Sequence, residues 1–141
     1  MTSQADLQAQ RLEAQRQAAQ RQADYQQVVR VVTYAIEDLP HLPDEWFVHM
    51  DITGRHTIVR NGEQFAFNRQ GFSQANPSVI GFELYVPQAS SLRPARISLW
   101  IENPHQNVAV NRRATRGALE RIIARGNLNI STCQVDATQY Q

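Results

Sequence analysis

Arg112, Arg113 and Arg116 open a stretch with helical spacing, and recognition chemistry is easiest to place on them. The N-terminus of a helix presents unpaired amides and the positive end of the dipole, so cations sit there at a disadvantage until an anion arrives. Amides and arginine forks together form a candidate phosphate or carboxylate site, filled by nucleic-acid backbone or by acidic side chains of a protein. Alternatively, Arg116 pairs with Glu120 one turn on and its neighbours are solvated. Residues 111–126 carry five arginines and one glutamate, whereas residues 28–110 carry eight acids and six arginines.

Other groups support less. His49, Asp51 and His56 meet across a hairpin if Thr53-Gly54 is its turn, but a third protein ligand is missing, so no metal is expected. Phe65 and Phe67 alternate on a strand in the manner of a base-stacking surface, a spacing that also suits a core beneath a helix. Cys133 and His105 are the one thiol and imidazole that could form a nucleophilic pair. A catalytic thiolate needs a cation or helix N-terminus beside it, and the sequence around Cys133 offers neither. Glycine-rich phosphate loops, serine nucleophile motifs and clustered carboxylates are missing from the sequence. The expectation is a protein with no catalytic residues, no cofactor and no metal.

The elements that position these residues can be read from periodicity. Residues 3–37 read as one helix, opened by Ser3 with Asp6 three residues on and uninterrupted by proline or glycine before Pro40. At about 1.5 Å per residue it outruns a domain of this size. Its second half carries Tyr25, Val28, Val29, Val32 and Ile36 on one face. Its first half offers Leu7, Arg11, Ala14, Ala18 and Arg21 on the corresponding seam, among nine glutamines in residues 1–27. Such a seam buries little area alone and predicts a partner-docking arm. Strands are expected over Trp46–Ile52, His56–Arg60, Glu63–Arg69, Val79–Val86, Ala95–Glu102 and Leu128–Val135, with a type I′ turn at Asn61-Gly62. A second helix runs from an Asn111 cap to Arg125 and stops at Gly126-Asn127, its apolar arc being Ala114, Ala118, Leu119, Ile122 and Ile123.

The predicted fold class is α+β: an antiparallel β-sheet of five or six strands with the long N-terminal helix and a C-terminal helix packed on one face. Residues 1–22 form a Gln/Ala/Arg-rich projecting arm, and residues 23–141 a single α+β domain. The leading helix, the meander, the Pro87–Pro94 connection and Asn103-Pro104-His105-Gln106-Asn107 together resemble the ubiquitin-conjugating fold, whose active-site loop carries His-Pro-Asn ahead of a catalytic cysteine. The residue order differs here, a helix of about 15 residues intervenes, and Cys133 has eight residues after it. The resemblance therefore lends no residue a role.

All 14 basic residues of the 141 are arginine. A GC-rich genome, avoidance of amines that accept ubiquitin-like tags or acetyl groups, and a use for arginine forks at interfaces each explain this. A single cysteine excludes an internal disulfide, and no apolar run is long enough to span a membrane or form a leader, so a cytoplasmic (or, in a virus, virion) location is expected. The reading that results is a protein-interaction or assembly module, in a viral or phage particle or as an inhibitor of a larger complex. Its N-terminal helix docks on a protein partner or on a copy of itself. The alternative is a nucleic-acid-binding regulator using the arginine-rich helix at 112–125, although net charge is only +1.

Overall fold

A computed structural model describes residues 3–48, 54–102, 107–126 and 134–135. Helix α1 spans Gln4–Asp38, its first turn capped by Ser3, whose hydroxyl accepts from the amide of Asp6. Two 3-10 turns follow, Leu39–His41 and Asp44–Phe47. Strands β1 (Gly54–Arg60), β2 (Glu63–Phe72), β3 (Val79–Val86) and β4 (Ala95–Glu102) form an antiparallel meander in sequence order. Helix α2 spans Val108–Ala124.

The antiparallel sheet thus has four strands, not five or six. The two-residue β5, Gln134–Val135, pairs parallel to β4 at the sheet edge, and the rest of the expected 128–135 strand lies outside the described residues. The expected strand at Trp46–Ile52 is also corrected at its start, where Trp46 and Phe47 belong to a 3-10 turn. A strand sends neighbouring side chains to opposite faces, but here both adjacent aromatic rings are buried. The tighter turn allows that, and Trp46 packs 4.8 Å from Phe67 and 5.1 Å from Phe82, ring centre to ring centre.

The core lies between the helices and alternate residues of the strands. Ile58, Phe65, Phe67, Ile80, Phe82, Leu84, Ile97, Leu99 and Ile101 meet Val28, Val31, Val32 and Ala35 of α1 and Ala118, Leu119 and Ile122 of α2. The buried stripe of α1 differs from the predicted one, since Val31 and Ala35 are fully inside while Val29, Tyr25 and Ile36 are half-buried. At Asn61-Gly62 both residues have positive φ, 53° and 81°, as a type I′ turn requires.

Candidate functional site

α1 changes character at Asp24. Every residue from Ser3 to Gln22 is exposed, including Leu7, Arg11, Ala14, Ala18 and Arg21. Leu7 and Leu12 are two of only five large apolar side chains exposed among the described residues. Asp24 is buried and clasps the connection between β3 and β4: its carboxylate accepts from the amides of Ala89 (2.5 Å) and Ser90 (3.1 Å) and from the Ser90 hydroxyl. Beyond it, the Tyr25 hydroxyl donates to the carbonyl of Ile123 and accepts from the amide of Gly126, tying α1 to the end of α2.

The three arginines of α2 have separate surroundings. Arg112 Nη2 donates to the Leu42 carbonyl and to Asp44 Oδ1, both at 2.9 Å, and its guanidinium lies 4.7 Å from the centre of the Phe47 ring. Arg116 Nε donates to Glu120 Oε1 at 2.9 Å, the pairing that the i, i+4 spacing allowed. Arg113 is exposed, with no ion pair among the described residues. The helix begins four residues earlier than predicted, because Asn107, not Asn111, caps it and accepts from the amides of Ala109 and Val110. Asn111 is buried and donates from Nδ2 to the Phe47 carbonyl at 3.1 Å. The three arginines therefore stand one to two turns inside the helix, away from its unpaired amides.

His56 Nε2 lies 2.9 Å from Asp38 Oδ2, and Arg60 donates to Asp38 Oδ1. Partial burial pushes the Asp38 pKa up, but hydrogen bonds from His56 and Arg60 outweigh it and hold the carboxyl below its ordinary value. His49, Asp51, His105 and Cys133 lie outside the described residues, and no group of metal-ligating side chains occurs among those described. Phe65 and Phe67 are both buried in the core, Phe65 beside Tyr34 with ring centres 6.2 Å apart. An open groove of about 700 Å³ runs past Phe65, Tyr85, Pro87, Leu92 and Pro94. No helix of the described residues is long and apolar enough to cross a membrane.

No family model matches the sequence, and no curated protein and no solved structure matches it. Sequence reasoning missed Asp24 and Asp38. Asp24 breaks the polar–apolar rhythm of α1 just ahead of Val28, a detectable signal. The clasp on residues 89 and 90 was beyond reach, since its partners are 65 and 66 residues away.

Proposed function

We propose that this chain is a non-catalytic interaction module in which the first five turns of α1 dock on a protein, while the sheet body anchors and aims them. The observation that carries this reading is the unbroken passage of one helix from exposed residues over Ser3–Gln22 to full burial at Val28, Val31 and Val32. A glutamine- and alanine-rich helix with no apolar surface of its own to rest on gains little from water. A rod of about 30 Å held out from a folded body is suited to laying one face along another helix or into a groove. An assembly part or an inhibitor of a larger complex would use such a rod.

The alternative of a nucleic acid on α2 has less behind it. Arg112 and Arg116 already donate to acceptors within the molecule, which leaves a thin set of cations for a phosphate backbone.

The test compares the full chain with one lacking residues 1–22 in light scattering and in co-purification from the native cell. Association through the full chain that the truncated chain loses, with its thermal unfolding still cooperative, supports the reading. A full chain that is monomeric and retrieves nothing beyond what the truncated chain retrieves refutes it.

A further inference from the structure

The exposed arm carries a repeat of seven. Residues 4–10, 11–17 and 18–24 read QADLQAQ, RLEAQRQ and AAQRQAD. Aligned, they give Ala5, Leu12 and Ala19 in one column, Ala9, Arg16 and Ala23 in a second, Gln8, Gln15 and Gln22 in a third, and Asp6, Glu13 and Gln20 in a fourth. The first two columns alternate by four and three residues, the seam of a coiled coil, with the glutamine and acidic columns flanking it. Five of the six seam residues are apolar. At about 100° per residue, the seam lies roughly 110° around the axis from the face that α1 buries at Val28, Val31 and Ala35. It is also a different face from that of Leu7, Ala14 and Ala18. Further along α1 the side continuing this seam is taken by the β1–β2 hairpin: Arg30 Nη1 donates to Glu63 Oε2 at 2.5 Å and lies over the Phe65 ring. Along the arm nothing among the described residues covers it.

Building on the arm as a docking element, we propose that its occupant is the same arm of a second copy of this chain, running antiparallel about a two-fold axis near residue 14. Charge selects both the occupant and the direction. Arg16 stands in the seam and is bridged to Glu13 on its own helix at 2.6 Å. Antiparallel pairing about residue 14 sets Ala5 against the partner's Ala23 and Ala9 against the partner's Ala19. It places Arg16 against the partner's Leu12, with the partner's Glu13 beside it. The two Arg16–Glu13 pairs then close into one ring of alternating charge, in which the arginines offset the approach of Glu13 to the partner's Glu13, and each arginine stem covers a leucine. Parallel pairing would put the two Arg16 guanidiniums face to face in the seam. The glutamine column falls against itself, Gln15 on the partner's Gln15 and Gln8 on the partner's Gln22, and a side-chain amide is both donor and acceptor. In this register the overlap ends near Asp24, where α1 enters its own core, so the two bodies lie at opposite ends of the paired rods. Alanine layers permit close approach of the helices but bury little area, so the dimer is weak and concentration-dependent.

The test uses the full chain with Cys133→Ser and introduced cysteines under mild oxidation, alongside sedimentation of the parent chain over a range of concentrations. A concentration-dependent dimer whose Ala9→Cys/Ala19→Cys form cross-links efficiently, while Ala9→Cys alone does not, is the expected result. Arg16→Glu weakens the dimer by about tenfold, and the swap Glu13→Arg/Arg16→Glu restores it. Efficient cross-linking of Ala9→Cys alone gives a parallel pair and overturns the proposal. So does a monomer at every concentration. If such a monomer still captures a different protein through residues 1–22, the self-pairing is wrong while the docking reading stands, and the two failures are thereby told apart.

Discussion

Asp38 closes α1 with a negative charge at the end of the helix where the dipole is also negative, an unfavourable placement taken alone. Two residues of β1 reverse it. His56 and Arg60 flank the fully buried Ile58 on the inner side of the strand, and both reach Asp38. The cluster pins the end of the helix to the edge of the sheet, and the stacking of Arg60 on Tyr34 at 5.3 Å extends it along the helix. Because hydrogen bonds hold the folded Asp38 below its ordinary pKa of 3.8, its contribution is fully present above that value and is lost as pH falls through the lower, folded one. Urea denaturation at pH 7 and at pH 3 should therefore show a loss of stability in acid that shrinks in Asp38→Asn. An equal loss in that variant would mean that other carboxylates account for the acid sensitivity.

At the scale of elements, α2 shows what the sequence discloses and what it withholds. Its apolar arc at Ala118, Leu119 and Ile122 was legible because helical spacing reports one face, and β1 to β4 were legible because alternation reports another. Its cap was misplaced because Asn107 and Asn111 are the same residue type, and only the fold shows that Asn111 is taken by the carbonyl of Phe47. The intramolecular partners of the arginine cluster were hidden for a related reason. Arg112 meets Leu42, Asp44 and Phe47 from a distance in sequence of about 70 residues, which no spacing encodes. It joins α2 to the turns that seat Trp46 and Phe47 in the core. Arg112→Ala is expected to cost about 2 kcal/mol in urea denaturation, from a charge-assisted hydrogen bond to a half-buried carbonyl and a cation–π contact. An arginine whose business was an external anion would leave stability unchanged, or raise it, when removed.

For the whole molecule, the division at Asp24 decides how the arm behaves without a partner. Helix formation is limited by the first turn, and here that turn comes ready-made: Val28, Val31 and Val32 are locked against the sheet, so helix propagates outward from the body through Ala, Gln, Leu, Arg and Glu. The arm therefore starts as helix and frays from Ser3 inward, its far end held by the hydroxyl of Ser3 on the amide of Asp6 and the carbonyl of Ser3 on the amide of Leu7. Every residue from Ser3 to Gln22 is exposed, so removing residues 1–22 should leave the free energy of unfolding within about 0.5 kcal/mol of the parent. The far-ultraviolet helix signal behaves differently: it should rise with concentration in the full chain, as pairing suppresses fraying, and stay constant in the truncated one. A truncated chain that loses cooperative unfolding would show that the arm belongs to the body's own stability. The clasp of Asp24 on Ala89 and Ser90 would then be the middle of a domain and not its border.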